Sequence, residues 1–302
     1  ALERGKQLWP ISAHIDYRIA LEAPGEYAAP VLTPEIGRFA HGPLTEVAAS
    51  THAWEELAPH VADPVTACYV AQERVLRGEV LDTDERAHPE LVDLPLRLEP
   101  WEPPYALATF RANLVEVQEP WEPQTGWAEV GADAGEPIDD PEAADALLEL
   151  VTPWTSESNG AARSVVVEGG APAAIAALTY GPVRLAPIGV DQAFRQMAWA
   201  AASGGAHGRR RGAALGRFSA WYTAALLSDL PWPCPGGALG AAAAKLRWFL
   251  WDEEGSEEGW VLRMAVEDPA RGWAAALGAT DVLNEAEDAS AASDGAQDER
   301  GG

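Results

Sequence analysis

Cysteine, lysine and methionine are nearly missing from this chain of 302 residues, with two of each. Cys68 and Cys234 allow at most one bridge, which excludes a disulfide-stapled scaffold. No apolar run approaches the roughly 20 residues that span a bilayer, and the opening Ala-Leu-Glu-Arg-Gly-Lys has no apolar signal core. The expectation is a cytoplasmic protein without membrane contact. Gly-x-Ser-x-Gly, His-Glu-x-x-His, Cys-x-x-Cys, the phosphate-binding P-loop and Gly-x-Gly-x-x-Gly are all absent. The residues therefore indicate no cofactor and assign no catalytic group. His14, His41, His52, His60, His88 and His207 do not fall at metal-ligand spacings, so no metal site is expected either.

Positive charge is also scarce, with 21 Lys+Arg against 47 Asp+Glu and a net charge of −26. A chain this acidic lacks the basic face that phosphate-backbone binding needs, so nucleic acid is not an expected partner. Arginine outnumbers lysine nineteen to two. Together with the Ala, Gly and Pro load this reflects GC-rich coding rather than guanidinium chemistry. The apolar fraction of 47% and the length suffice for a large core, and the 13 tryptophans fall mostly at helical or alternating core positions.

The average charge hides an asymmetry. Residues 161–250 carry nine basic and three acidic side chains, a net of +6, which leaves −32 for the remainder. Such a cationic island has two readings: it docks on the chain's own acidic half, or it receives an anionic ligand or an acidic protein segment.

Local signals organise the chain. Residues 1–90 read as short helices and turns, with apolar Val47, Trp54 and Leu57 set among acidic residues over Thr45–Leu57. Asp63-Pro64 marks a helix start, with Val65–Leu76 following and Gly78 as its stop. Cys68 falls on the apolar face of that helix. Glu99-Pro100-Trp101-Glu102-Pro103 recurs as Glu119-Pro120-Trp121-Glu122-Pro123, and proline predicts an extended backbone in each copy. Between them Tyr105–Val117 alternates like a strand.

Residues 128–145, acidic and rich in Gly, Pro and Ala, form the expected boundary between a helical and extended part (1–127) and an α+β part (146–283). The two parts are compatible with packing as one unit. Strands are expected at 165–167, 183–188, 246–251, 260–266 and 273–277, and helices at 141–150, 173–178, from Asp191 onward, at 209–227, and in an Ala-rich stretch ending near Lys245. Residues 252–259 read as an acidic hairpin tip, and 284–302 as a disordered acidic tail. The fold class is α+β, with short helices in the first half and an antiparallel sheet with covering helices in the second.

The sharpest constellation is Ser203-Gly204-Gly205-Ala206-His207-Gly208-Arg209-Arg210-Arg211-Gly212-Ala213-Ala214-Leu215-Gly216-Arg217. Glycine lets a backbone approach an anion, a helix start offers free N–H groups, and arginine supplies planar bidentate donors. Three arginines at a helix start oppose the macrodipole, a placement that a negative neighbour relieves. A helix from residue 209 would set Arg210 and Arg217 on one face. Gly205, His207, Arg209, Arg210, Arg211 and Arg217 are thus the candidate anion-binding residues, and an internal salt-bridge network is the competing account.

Within this segment Arg209-Arg210-Arg211-Gly212-Ala213-Ala214 fits Arg-x-x-Gly-x-Ala, which resembles the pyrophosphate loop of acyl-CoA-dependent N-acetyltransferases. That family places a strand before the loop, whereas Gln192–Ala202 reads as helix. A wider match rests on Leu94–Pro103, Trp154–Gly160, Trp199–Trp221, Leu246-Arg247-Trp248 and Ala265–Pro269. In these stretches the chain resembles a bacterial family, domain of unknown function 6183, over most of its length to about residue 283. The resemblance implies one shared architecture and no reaction. Three readings stay open: a soluble binding protein whose Gly/Arg segment meets an anionic ligand or acidic partner, an enzyme acting on a phosphate- or CoA-bearing substrate, and a purely structural arginine cluster. The sequence leaves the oligomeric state undetermined.

Overall fold

Residues 9–33, 40–119, 126–179, 181–253 and 259–282 are described by the computed structural model. The first half holds α1 (Trp9–Glu22), α2 (Gly25–Ala28), α3 (Leu44–Thr51), α4 (Trp54–Leu57) and α5 (Pro64–Leu76). The start of α5 follows its local signal: Asp63 accepts the Thr66 N–H at 2.7 Å, and Pro64 occupies the first helical position. Cys68 is buried in this helix, and burial pushes its thiol up to about 12.

Short helices were expected here, and α3 and α4 are separated where the chain breaks at His52, whose backbone is extended. The His52 ring bridges Ala48 O at 3.0 Å and Ala23 O at 2.7 Å, which ties α3 to the end of α1. The single strand expected over Tyr105–Val117 is instead a hairpin, β1 (Ala108–Arg111) and β2 (Leu114–Val117). Its reversal at Ala112-Asn113 suits the turn preference of asparagine. Tyr17, Val47, Trp54, Leu57, Val70 and Phe110 belong to the core of this half.

The first Pro-Trp-Glu-Pro copy also departs from the extended form. The Glu102 N–H meets Glu99 O at 2.9 Å and the Glu102 carboxylate returns to the Glu99 N–H at 2.8 Å, closing a turn. Burial of Glu102 and Trp101 wins over the extended preference. Residues 120–123 of the second copy lie outside the described residues, as do 254–258 of the acidic hairpin tip and the tail at 284–302.

The second half contributes β3 (Ala128–Val130), α6 (Pro141–Glu149), α7 (Thr152–Ser156), β4 (Ala161–Glu168), α8 (Ala171–Leu178), β5 (Val183–Ile188), α9 (Val190–Ala202), α10 (Ala213–Leu227), α11 (Gly236–Ala243), β6 (Arg247–Glu253), β7 (Trp260–Asp268) and β8 (Trp273–Asp281). The strands form one antiparallel sheet in the order β3-β5-β6-β7-β8-β4. Alternation divides its faces as the period of two requires. Trp248, Leu250, Leu262, Met264 and Leu277 join the core under α6, α9, α10 and α11. Val167, Leu185, Trp251, Ala265 and Ala276 join the core under α8.

Strand β8 runs longer than its sequence suggests. Ala274, Ala275 and Ala276 are poor strand formers, yet β7 and β4 pair with it on both sides. Its small side chains admit the Trp251 indole, which donates to Leu277 O at 3.1 Å and Met264 O at 3.3 Å. Helix α9 starts at Val190 with Gly189 as its cap, because Gln192 rather than Asp191 reaches the Gly189 N–H, at 3.1 Å.

The fold is α+β, helical in the first half and sheet with helices in the second. Leu76, Leu94 and Tyr105 from the first half enter the same core as α9, α10 and the sheet. Among the described residues no helix is long and apolar enough to cross a membrane.

Helices α9 and α10 cross at Gly216, where a Cβ would land on the Ala198 carbonyl and 3.0 Å from Ala202 Cβ. Gly216→Ala is expected to destabilise the protein by about 3 kcal/mol in denaturant unfolding, as overpacking does. Gly237→Ala, at an α11 position with nothing within 4 Å, is expected to stabilise by about 0.5 kcal/mol.

Candidate functional site

The Gly/Arg segment leaves α9 at Ser203, whose hydroxyl accepts the Gly205 N–H at 3.0 Å. Gly204 lies against the backbone of Gly208 and Arg209, and Gly205, at φ +72°, lies against the Asp281 carboxylate and Trp154. Side chains have no room at either position, so here the glycines serve close approach within the chain. The Ala206 N–H donates to Asp281 Oδ2 at 2.6 Å, and the His207 N–H to Ser158 Oγ at 3.1 Å. Ser158 in turn donates to Asp281 Oδ1 at 3.0 Å, and the Arg211 N–H returns to Ala202 O at 2.8 Å. The bend is closed on itself and bolted to the end of β8.

Helix α10 starts at Ala213, not at Arg209. Gly212, at φ +99°, turns the chain immediately before it. The three consecutive arginines therefore precede the helix, and Arg210 and Arg217 do not share a helical face. Arg210 points to α3, where Nε and Nη2 meet the two Glu46 oxygens at 2.8 and 2.7 Å. Arg211 pairs at the surface with Glu157 at 2.6 Å.

Arg217 is wholly buried, and its guanidinium makes five hydrogen bonds. Nε and Nη2 take Glu102 at 2.8 and 2.7 Å, Nη1 takes Gln72 Oε1 and Pro95 O, and Nη2 also reaches Arg97 O. Burial opposes ionisation of Glu102, but the Arg217 bonds and charge, helped by Tyr105, hold its carboxyl below the ordinary value. The Trp221 indole N–H also donates to Glu102, at 2.9 Å.

A second buried cluster lies one residue along α5. Glu73 accepts the Ala214 N–H at 2.7 Å, so a carboxylate occupies the N-terminus of α10 where an external anion would sit. Arg77 meets its other oxygen at 2.7 Å. A Cβ on Gly212 would stand 3.2 Å from Glu73 Oε1 and 3.8 Å from Glu46 Oε2, which puts both carboxylates around one point. Burial, and next the charge of Glu46, push the Glu73 carboxyl up to about 7 against the pull of Arg77 and the Ala214 amide.

The segment thus brings Gly205, Arg210, Arg211 and Arg217 onto carboxylates of the chain itself. His207 and Arg209 remain at its outer rim, both exposed. Among the described residues Arg209 has no ion pair. The element before the Arg-x-x-Gly-x-Ala stretch is helix α9. Sequence reasoning left out every anionic partner: Glu46, Glu73, Glu102, Glu157 and Asp281. One of them, Glu102, stands in the Pro-Trp-Glu-Pro motif.

Comparison with known proteins gives one finding. A family model described as a family of unknown function, DUF6183, matches residues 3–282. No curated protein and no solved structure matches the chain.

Arg217→Ala leaves Glu102 buried without its cation and is expected to cost about 3–5 kcal/mol in denaturant unfolding. Arg211→Ala, which removes a half-exposed pair, is expected to cost less than about 1 kcal/mol. Glu73 predicts a pH dependence. It keeps its proton in the folded state up to about pH 7, whereas an unfolded glutamate loses it near 4.5. The stability it contributes is full below about 4.5 and is lost as pH rises to 7. The unfolding midpoint of wild type should fall more steeply between pH 5 and 7, on the order of two pH units, than that of Glu73→Gln.

Proposed function

The chain belongs to DUF6183, a family of unknown function, and from that premise we propose that it is a binding protein that takes an acidic protein segment at the rim of the Gly/Arg bend. Arg209 makes the principal contact, with His207 beside it, while Arg210 and Arg217 serve the fold. One observation carries this reading. Arg209 is the exposed guanidinium of the segment with no carboxylate partner among the described residues, while Arg210, Arg211 and Arg217 are each engaged.

An unpaired guanidinium on a closed loop is preorganised for a carboxylate, since the loop's ordering cost is met by folding. A phosphate is held best where free backbone N–H groups of a bend or helix start join the arginine. Those of Ala206, His207 and Ala214 already donate to Asp281, Ser158 and Glu73. Side-chain recognition of carboxylates remains, and this favours an acidic peptide over a nucleotide or CoA. A second reading, in which the arginines are purely structural, draws its support from the pairs of Arg210 with Glu46 and Arg217 with Glu102.

The test titrates hexaglutamate, inorganic pyrophosphate and CoA into the full chain at low salt, read by calorimetry and thermal shift. Hexaglutamate is expected to bind, and Arg209→Glu to weaken it about tenfold, the range of a rim charge contact. Pyrophosphate or CoA binding that Arg209→Glu abolishes would instead favour a phosphate-bearing substrate. A flat response to all three overturns the reading and leaves the structural account.

A further inference from the structure

Arg210 turns inward and meets the two Glu46 oxygens with two nitrogens, at 2.8 and 2.7 Å, and neither side chain is more than 9% exposed. Arg209 and Arg211, on either side of it, are exposed. Arg211 makes one side-chain hydrogen bond among the described residues, from Nη2 to Glu157 Oε1 at 2.6 Å, and both members of that pair are more than a third exposed. A guanidinium offers paired N–H groups that suit both oxygens of a carboxylate. Glu157 therefore uses only part of what Arg211 presents.

Glu157 lies along the rim. A Cβ on Gly208 would stand 3.3 Å from Glu157 Cβ, so the glutamate starts beside the residue that precedes Arg209 and ends at Arg211. The backbone here is fixed at both ends, by the His207 N–H on Ser158 Oγ and by the Arg211 N–H on Ala202 O. Two exposed guanidinium groups thus share one short preorganised stretch, their Cα atoms two residues apart and separated by at most about 7 Å.

Alternate side chains of an extended peptide point to one face with that same spacing. We infer that the rim reads two carboxylates two residues apart in an extended acidic segment, one on Arg209 and one on Arg211, and that Glu157 is the internal stand-in that the second carboxylate displaces. This deepens, and rests on, the reading of the rim as an acceptor of acidic segments. Displacement costs little, because a half-exposed pair with one hydrogen bond contributes little to stability, whereas Arg210 and Glu46 are buried and stay together. A lone carboxylate gains Arg209 only, and adjacent carboxylates point to opposite faces, so spacing sets the specificity.

The experiment uses the full chain at low salt and follows the His207, Gly208 and Arg209 amide signals by NMR. Two blocked peptides of equal charge are titrated, acetyl-Gly-Glu-Gly-Glu-Gly-amide and acetyl-Gly-Glu-Glu-Gly-Gly-amide. The alternating peptide is expected to bind about fivefold more tightly, the range of one added rim contact. Glu157→Gln should tighten it by a further factor of about three. That gain should vanish in an Arg211→Gln background, since both residues act on one contact. Unfolding midpoints close to wild type in both variants exclude loss of fold as the cause.

Equal affinity for the two peptides overturns the inference. So does the absence of a gain in Glu157→Gln, or a gain that persists without Arg211, as general removal of charge would give. Any of these with hexaglutamate still bound through Arg209 leaves the binding reading intact. No binding of hexaglutamate or of either peptide, by wild type and Glu157→Gln alike, overturns both.

Discussion

Arg217 and Glu102 form the contact on which the rest of the molecule depends. Each is fully enclosed, and an isolated charge in such surroundings costs several kcal/mol. The cost is offset only because every partner is in place. Five hydrogen bonds to the guanidinium come from α5, from the 95–97 strip and from the Glu99–Glu102 turn. Tyr105 and Trp221 complete the carboxylate, at 2.6 and 2.9 Å. The first half therefore cannot part from α10 without stranding a buried charge. Trp101 adds an apolar lock beside it, packed 4.9 Å from Phe194 and 5.2 Å from Trp221 between ring centroids, with its indole N–H on Gly236 O.

The acidic residues serve a structural use. Carboxylates distant in sequence accept from the backbone N–H groups of helix starts. Glu73 serves α10, Glu267 serves α8 through the Ala171 N–H at 2.7 Å, and Glu79 serves α4 through the Trp54 N–H at 3.3 Å. Glu267 and Glu79 place a negative group at the positive end of a helix dipole, and Glu73 supplies an acceptor oxygen there. The arginines enter the same scheme from the other side, since Arg77 holds Glu73 and Arg247 holds Glu267. What the sequence shows as a positive island of nine cations is, in three dimensions, five paired arginines, Arg184, Arg210, Arg211, Arg217 and Arg247, and four cations, Arg163, Arg195, Arg209 and Lys245, without an ion pair among the described residues.

How far the fold could be read depended on the range of the signal. Asp63-Pro64 and Asp140-Pro141 are caps acting within four residues, and both helices begin there. The alternation of Leu246, Trp248 and Leu250 with Arg247, Phe249 and Trp251 named two sheet faces, and the two cores divide along that line. Readings that weighed one local preference against tertiary packing fared worse. Residues 209–212 have no proline to stop a helix, yet Arg210 and Arg211 are drawn to Glu46 and Glu157 on different elements. The alanines of β8 favour a helix by propensity, and pairing on both edges overrides them.

By itself the sequence determined the α+β class, the starts of α5 and α6, the two faces of β6 and the gathering of arginine at one glycine-rich bend. Capping, alternation and charge counts all act over a few residues, so they are visible in one dimension. Only the tertiary structure decided which carboxylate each arginine received. Glu102 is 115 residues from Arg217 and Glu46 is 164 from Arg210. Among 47 acidic side chains of equal chemistry no local rule distinguishes these two. Burial makes the choice, because a guanidinium removed from water is tolerated only where the packed chain brings a carboxylate and the remaining acceptors to meet it.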